Sequence, residues 1–525
     1  MSAVIALRRG HDGNATAEDQ QPARKDHSRR PISTRPSLER EMTTMDPAAA
    51  EWEPVPPAWG WHRRGTGRAL NVSAGVEYQA TTVQAAGLYP FTAGSGSPLL
   101  GVPIGRHQLW GETVLLDPFE WLAAGLITNT GMFVLGQPGA GKSALAKRLV
   151  MGMAATGTQV LILGDTKPDY TRVVQQLGGQ VIRVGRGTDR VNPLDAGPLG
   201  NALARMSGPD ADQLRLEVRG RRLTLLLALC TLIRDGGRIS NLEEVVLGRV
   251  VDLLGERHTG TPVVPDVIAV LEQGPDQVRA AARATSLADY RRRVDDLVAT
   301  LRLLCEGTLA GVFDAATTTP VDLAAKAVSI DISRVAAAGD KLVAAAMLST
   351  WSYGYAVIDA AAVLAAQHLA PRRRHLAVMD ELWRALRGAP GLVEPADALT
   401  RLSRNLGVAQ IMLTHSLDDL DALASDADRA KGRGMAERCA IKVLAALPGR
   451  ELDRIGQIAR LSQPERDMVA SWAAPEALVP GAIHPGRGRY LVKTGERAGI
   501  PVALHLVDGE PSWYDTDAAV RAGAR

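Results

Sequence analysis

The 525-residue sequence predicts an α/β protein built around a mainly parallel β-sheet. Three observations predict this class: apolar runs of strand length, helix-period segments between several of them, and a glycine-rich loop that joins the first run to an amphipathic helix. The runs are MFVLG (132–136), QVLILGD (159–165), QVIRVG (180–185), AVSIDI (327–332), HLAVMDE (375–381) and AQIMLTH (409–415). The sheet continues or gains a hairpin at two further runs, AIKVLAAL (440–447) and RYLVKTG (489–495).

The chain begins with a polar segment. Residues 1–60 carry charges of both signs, Ser and Pro, with few large apolar side chains. Such a segment buries too little apolar surface to offset the entropy of ordering, so we expect it to be disordered. Met42 and Met45 lie within it as alternative start positions to Met1. Residues 61–125 then show short apolar runs punctuated by Gly and Pro, which predict a small β-rich lead-in region.

A long helical stretch separates the third and fourth predicted strands. Residues 197–315 follow a helical pattern almost throughout, and a structureless loop of that length would be unusual. We therefore expect an all-α insertion on one edge of the sheet, dividing the core into residues 126–196 and 316–515, with a tail at 516–525. The apolar stretch from Val343 to Ala370 is richer in alanine than in leucine and carries Asp359 and His368, so it predicts a buried helix.

Composition excludes several classes of protein. Hydrophobic residues make up 46% and charged residues 22% of the chain, which excludes a fully disordered protein. The three cysteines are far apart and suit neither disulfides nor a zinc site, which indicates an intracellular protein with reduced thiols. A net charge of +3 permits a nucleic-acid partner without requiring one. The arginine runs are short and no aromatic stacking platform accompanies them, so sequence-specific readout of DNA is not expected.

The glycine-rich loop matches the Walker A pattern G-x-x-x-x-G-K-[ST] in full. Its residues are Gly136, Gln137, Pro138, Gly139, Ala140, Gly141, Lys142 and Ser143. Glycines let backbone N–H groups converge on phosphate oxygens, and the helix that follows directs its positive dipole end at the anion. Lys142 is expected to reach the β- and γ-phosphates of ATP, and the Ser143 hydroxyl to coordinate Mg²⁺.

An acidic partner for the metal follows another predicted strand. Asp380 and Glu381 end the run HLAVMDE, in the manner of a Walker B motif. We expect Asp380 to hold Mg²⁺ and Glu381 to orient or polarise the attacking water. Asp165, at the end of QVLILGD, is a second acid that the same rim could bring near the phosphates.

Thr414 and His415 end the run AQIMLTH, on the rim where ligands bind to parallel sheets. They predict a sensor of the γ-phosphate or of the attacking water. A structural interpretation stays open, because Ser416 followed by Asp419 also suits a helix capping box.

A series of shorter motifs accompanies the phosphate loop. Before it stand GLYPF, GVPIG and ETVLLDPF. After it come DTKPDYTRVVQQLGGQVIRVG, VNPLD (191–195), GVFD (311–314), SIDISRV (329–335), VMDELWRAL (378–386) and RNLGVAQIMLTHS (404–416). This series, over roughly residues 85–510, resembles the VirB/TraC-type conjugative-transfer ATPases of type IV secretion systems, within the HerA/FtsK superfamily.

The resemblance implies a RecA-like motor domain that hydrolyses ATP with Mg²⁺ and works as a homo-hexamer on the cytoplasmic side of a secretion channel. Its partners would be channel and coupling-protein subunits, with peripheral association at the membrane and DNA contact without sequence specificity. ATP hydrolysis would energise pilus assembly or substrate transfer. The large N-terminal domain of the family is absent or reduced to about residues 60–125, which a separate chain supplying that domain would explain.

Two residues depart from the family pattern. His415 stands where glutamine usually follows threonine, and Asn405 stands where lysine often follows arginine.

Ring motors also use an arginine from the neighbouring subunit to stabilise charge on the transferred phosphoryl group. Arg404 is the first candidate for that role. Further candidates are Arg438, Arg487 and Arg489.

Three other functions share the same core. A coupling protein that feeds DNA into the channel normally carries N-terminal transmembrane helices, and no stretch of this sequence predicts one. A soluble HerA-like DNA translocase would show ATPase activity stimulated by DNA. A nucleotide-gated assembly scaffold would bind ATP with little turnover.

Overall fold

The computed structural model describes most of the chain after residue 95. The described residues are 96–203, 206–257, 260–307, 309–336, 339–394, 396–397, 407–456, 458–473 and 486–514. The predictions for residues 1–60, for most of the lead-in region and for the C-terminal tail lie outside them, as do Arg404 and Asn405.

Eleven strands lie in the described residues. They are β1 (Val102–His107), β2 (Thr113–Leu116), β3 (Gly131–Leu135), β4 (Gln159–Asp165), β5 (Gln180–Arg183), β6 (Ala327–Asp331), β7 (His375–Met379), β8 (Val408–Thr414), β9 (Ile441–Leu444), β10 (Arg489–Thr494) and β11 (Ile500–Leu504). All eight predicted strands form, with ends within two or three residues of their runs. The apolar run ETVLLDPF contributes β2.

The strands form one sheet in the order β2-β1-β11-β10-β9-β3-β8-β7-β4-β6-β5. From β9 to β5 every neighbouring pair is parallel, and β10, β11, β1 and β2 extend the sheet in antiparallel pairs. The predicted mainly parallel α/β fold is therefore confirmed. The runs at 440–447 and 489–495 continue the sheet as β9 and β10, which pair in antiparallel fashion, and β10 also forms a hairpin with β11. The lead-in strands β1 and β2 belong to the same sheet as the core.

Seventeen helices have both ends within the described residues. They are α1 (Pro118–Ala123), α2 (Lys142–Ala155), α3 (Thr171–Gln176), α4 (Pro198–Leu203), α5 (Pro209–Ile233), α6 (Asn241–Arg257), α7 (Val264–Gln273), α8 (Asp276–Ala281), α9 (Leu287–Glu306), α10 (Ser333–Ala336), α11 (Asp340–Ala366), α12 (Leu382–Leu386), α13 (Asp418–Asp421), α14 (Asp426–Arg438), α15 (Gly449–Ile455), α16 (Gln463–Ala473) and α17 (Glu510–Tyr514).

Helices α4 to α9 form the predicted helical insertion. They follow β5 and precede β6, the two strands at one edge of the sheet. Among the described residues of 197–315 every regular element is a helix, as the periodicity predicts. The insertion thus lies between the two strands at the β5 edge, whereas β3, which precedes the glycine-rich loop, is the sixth of the eleven strands.

The predicted buried helix in the apolar stretch is α11, of 27 residues. It packs across the parallel strands, and the indole of Trp351 donates a hydrogen bond of 3.0 Å to the carbonyl of Leu163 in β4. Alanine at many of its positions lets the helix approach the sheet closely. Within the described part of the chain, no helix is both long enough and apolar enough to cross a membrane.

Candidate functional site

The glycine-rich loop joins β3 to α2 at the carboxyl edge of the sheet. Two of its glycines are required by close packing. At Gly141, where φ is +95°, a Cβ atom would lie 2.8 Å from the hydroxyl of Tyr490. At Gly136 it would lie 2.5 Å from the Cβ of Ala445. The loop therefore keeps its shape only with glycine at both positions, and it presents the N-terminus of a 14-residue helix to this edge.

The order of the sheet brings three predicted groups together. Strands β3, β8 and β7 are parallel neighbours, so their carboxyl ends share one edge. The hydroxyl of Ser143 lies 3.4 Å from Oδ2 of Asp380. The structure thus places Ser143, the last residue of the Walker A pattern, beside Asp380, which directly follows β7.

Lys142 is buried at the centre of this edge. Its ammonium group donates to the carbonyls of Gly136 at 2.6 Å and Gln137 at 3.2 Å, and lies 3.0 Å from Nδ1 of His415. Burial lowers the pKa of Lys142 to about 8, against the opposing effect of the carboxylates of Asp380 and Glu381. The lysine is thus held inside the loop by groups that a phosphate oxygen would have to replace.

Glu381 accepts hydrogen bonds on both of its carboxylate oxygens. Oε1 accepts from the ammonium of Lys167 at 2.9 Å. Oε2 accepts from the indole of Trp383 at 2.7 Å and lies 3.0 Å from Nε2 of His415. Burial would raise the pKa of Glu381, but the hydrogen bonds from His415 and Lys167 outweigh it and hold this pKa well below its usual range.

The backbone at Glu381 is in the left-handed region, with φ at +53°. A non-glycine residue in that region costs about 1 kcal/mol or more and is concentrated at functional sites. The conformation turns the glutamate side chain from the end of β7 towards His415 at the end of β8. His415 can therefore link Lys142 to Glu381, accepting at Nδ1 and donating from Nε2.

The side chain of Thr414 is hydrogen-bonded to the helix that follows. Its hydroxyl donates to Oδ2 of Asp419 at 3.0 Å, and the same oxygen accepts from the backbone N–H of Ser416 at 3.2 Å. The bond from the Ser416 N–H to Asp419 is one half of the predicted capping box, although the helix itself begins after Leu417. His415 instead contacts Lys142 and Glu381.

Asp165 has contacts with its own loop. Its carboxylate accepts backbone N–H groups from Lys167 at 3.3 Å, Asp169 at 3.2 Å and Tyr170 at 3.0 Å. Burial raises the pKa of Asp165 to about 7, against the effect of these hydrogen bonds. The residue thus organises the turn after β4. The same turn positions Lys167 beside Glu381 and Tyr170 beside Asp380. The phenol of Tyr170 donates a hydrogen bond of 2.9 Å to the Asp380 carboxylate.

The antiparallel hairpin supports the phosphate loop from the other side. The hydroxyl of Tyr490, a fully buried residue of β10, donates to the carbonyl of Gly141 at 2.6 Å. The backbone N–H of Gly488 donates to the carbonyl of Ala140 at 3.0 Å. These bonds hold the end of the loop in the conformation from which α2 starts.

Replacing Tyr490 with phenylalanine should weaken ATP binding about tenfold, because the lost hydrogen bond fixes Gly141. The matched control is Tyr290→Phe, since Tyr290 is also fully buried and donates at 2.7 Å to a backbone carbonyl, that of Leu271 in the insertion. Both variants should lose similar thermal stability. Calorimetric titration with ATP separates them, and equal ATP affinity in the two variants would refute the supporting role of Tyr490.

The candidate arginines occupy different places. Arg404 lies outside the described residues. Arg438 ends α14, on the amino side of β9, and forms an ion pair with buried Asp397. Arg487 and Arg489 flank Gly488 and are exposed beside the phosphate loop of their own chain.

Sequence reasoning assigned no role to four residues that contact the site. Lys167 and Tyr170 lie in the motif DTKPDY. This motif follows β4, whose carboxyl end is at the same edge of the sheet, and that position could have indicated a role in the site. Trp383 follows Glu381 by two residues, but nothing in the sequence marks its indole as a donor to that carboxylate. Tyr490 reaches the loop from 349 residues away, and no local pattern indicates it.

No family model matches the chain. An uncharacterised protein of Bacillus anthracis is 36% identical over 103 residues, which are 18% of this chain and 15% of that protein's length. This chain thus matches only a small part of that relative.

Solved structures show the fold. VirB4 of Thermoanaerobacter pseudethanolicus superposes with a TM-score of 0.57 and 20% identity, over 80% of this chain and 99% of that one. The conjugative coupling protein TrwB, in complex with ADP and Mg²⁺, gives a TM-score of 0.42 and 15% identity, over 72% of this chain and 85% of that one. The resemblance that the sequence motifs predict is confirmed at the level of the fold: this chain is similar to VirB4.

Proposed function

We propose that this chain is the ATP-hydrolysing motor of a conjugative DNA-transfer or type IV secretion apparatus, of the VirB/TraC type. The observation that carries the proposal is the edge of the sheet where Lys142, Ser143, Asp380 and Glu381 meet. The likeness to VirB4, which extends over almost all of that solved chain, supports the choice of system.

The residues present suit Mg²⁺ and a triphosphate. The Ser143 hydroxyl and the Asp380 carboxylate are adjacent oxygen donors, the ligand type that Mg²⁺ prefers. They would hold the ion, which neutralises phosphate charge when bound. The backbone of the loop from Gly136 to Gly141 would cradle the β-phosphate, with the ammonium of Lys142 on the β- and γ-phosphates.

Hydrolysis needs a water in line with the bond to the leaving phosphate. Glu381 would orient that water and accept its proton. His415, which contacts both Lys142 and Glu381, would sense the γ-phosphate through Lys142. Asp165 positions the turn that borders both. An arginine of a neighbouring subunit, with Arg404 as the first candidate, would add charge stabilisation in a homo-hexamer.

The proposed setting is the cytoplasmic face of the secretion channel, with peripheral attachment to the membrane. Channel and coupling-protein subunits would be the partners. DNA, where it is contacted, would be bound without sequence specificity. These assignments follow from the resemblance and from the likeness to VirB4.

A second candidate is a nucleotide-gated assembly scaffold with little turnover. The observation that favours it is the saturated state of Glu381, whose carboxylate already accepts hydrogen bonds from Lys167 and Trp383 and contacts His415. A base held in this way accepts a proton only after some of these contacts change. Measured turnover distinguishes the two candidates.

Transfer from cells tests the motor proposal. Donor cells whose copy of the gene carries Asp380→Asn should transfer DNA only at background level, with the protein present at its normal amount, because the metal-binding carboxylate is lost. The control is Asp397→Asn, which removes a carboxylate paired with Arg438 away from the site. Normal transfer by the Asp380 variant would contradict the proposal and would favour a role such as DNA repair.

A further inference from the structure

We propose that Lys167 is a ligand of the γ-phosphate of ATP, and that its transfer from Glu381 to that phosphate frees the glutamate to bind the attacking water. The inference rests on the proposed function and deepens it, because it names the group that couples recognition of ATP to the catalytic carboxylate. Lys167 belongs to neither the phosphate loop nor the acidic strand end.

The position of Lys167 is built by the sheet. Strands β4 and β7 are parallel neighbours, so the turn after β4 lies beside the turn after β7. Asp165 fixes the β4 turn by accepting the backbone N–H of Lys167. From there the Lys167 ammonium reaches Oε1 of Glu381 at 2.9 Å. Its side chain is 62% exposed while that of Glu381 is 10% exposed, so the ammonium meets the carboxylate from the open side of the site.

Cationic and proton-donating groups converge on this carboxylate. Lys142 contacts His415, His415 contacts Glu381, and Lys167 contacts Glu381 directly. Lys167 is close enough to Lys142 to contribute to lowering the pKa of that lysine. The carboxylates of Asp380 and Glu381 act on both ammonium groups, and a polyphosphate bound at this edge would offer the two lysines further anionic oxygens. The arrangement therefore suits a ligand more highly charged than one carboxylate.

The contacts of Glu381 explain how the exchange would act on catalysis. Lys167 is the donor that the structure gives to Oε1, whereas Trp383 and His415 share Oε2. When Lys167 turns to a γ-phosphate, Oε1 becomes free to accept a hydrogen from water, while Oε2 keeps the side chain in place. ADP lacks the phosphate that draws Lys167 away, so Glu381 stays paired with Lys167 when ADP is bound.

The competing interpretation is an exposed ion pair with no role in binding. Such pairs contribute little to stability, so removing one should change neither nucleotide affinity nor folding appreciably. The effect of removing Lys167 on affinity for ATP, compared with its effect on affinity for ADP, decides between the two interpretations, because only the proposed contact depends on the third phosphate.

The test measures affinity for a non-hydrolysable ATP analogue and for ADP, both with Mg²⁺, by calorimetric titration of the purified chain. Lys167→Met should weaken analogue binding roughly tenfold to a hundredfold, the usual effect of a charged hydrogen bond, and leave ADP binding within about twofold. Lys167→Arg should restore much of the preference for the analogue. Lys431→Met is the matched control, since Lys431 pairs with Glu394 at 2.6 Å on the surface of α14.

The outcomes distinguish failure of the Lys167 contact from failure of the motor proposal. An unchanged preference for the analogue in Lys167→Met, or an equal loss for both nucleotides, overturns the role of Lys167. Wild-type protein that binds the analogue tightly yet neither hydrolyses ATP nor supports transfer overturns the motor proposal and leaves the Lys167 contact standing. Wild-type protein that binds neither nucleotide overturns both.

Discussion

Replacing Lys142 with alanine should reduce ATP hydrolysis at least roughly a thousandfold, because the ammonium at the centre of the site is the charge that the loop offers to the β- and γ-phosphates. Phosphate release by the purified variant measures the effect. Thermal unfolding serves as the check on folding, since Lys142 also donates to the carbonyls of Gly136 and Gln137.

The control for this variant is Lys326→Ala. Lys326 is exposed and directly precedes β6, at the amino edge of the sheet, opposite the site. Its loss should leave hydrolysis at the wild-type rate. Turnover by Lys142→Ala that matches the wild type would remove the phosphate loop from the reaction and, with it, the whole assignment of the site.

The second large effect is expected at Glu381. Glutamine in its place keeps the length of the side chain and an acceptor for Lys167, so ATP binding should persist. Hydrolysis should fall roughly a hundredfold to ten-thousandfold, the usual contribution of a positioned base. Equilibrium binding and single-turnover hydrolysis, measured on the same preparation, separate the two effects.

Glu243→Gln is the matched control for Glu381→Gln. Glu243 is also a buried carboxylate held by a cation, Arg234 of the helical insertion, at 2.6 Å. Its replacement should cost stability and leave hydrolysis per folded molecule unchanged. If Glu381→Gln loses ATP binding together with hydrolysis, the glutamate belongs to the binding machinery rather than to the activation of water.

The parts of this site that sequence alone predicts are those with local signals. Gly136 to Ser143 form one unbroken pattern between a strand and a helix. Asp380 and Glu381 end an apolar strand, and parallel strands present their carboxyl ends at one edge. The strand runs themselves are apolar because both faces of the sheet are covered, which makes them easy to recognise.

Contacts between segments that are far apart in the sequence could not be predicted from local sequence patterns. Lys167 meets Glu381 across 214 residues, and Tyr490 meets Gly141 across 349, so neither pair leaves a spacing that can be read. Strand β11 was not predicted, because IPVAL is short and begins beside a proline. The antiparallel pairing of β1 with β11 joins two ends of the chain, and it depends on packing rather than on local propensity.

The left-handed backbone conformation of Glu381 could not be predicted from the sequence either. The residue is not glycine, and nothing in the sequence marks it for positive φ. The conformation is imposed by its surroundings, where Lys167, Trp383 and His415 hold the carboxylate. A position that is locally unfavourable and globally required is typical of a functional site.

Release of phosphate from ATP by the purified wild-type chain, under multiple turnover and with Mg²⁺, is the decisive measurement for the motor proposal. An ATP-hydrolysing motor should give many turnovers per chain, lose turnover when Mg²⁺ is chelated, and show almost none in Glu381→Gln while that variant still binds ATP. Wild-type protein that binds ATP with Mg²⁺ and releases no phosphate would contradict hydrolysis and would identify the site as a nucleotide-gated scaffold.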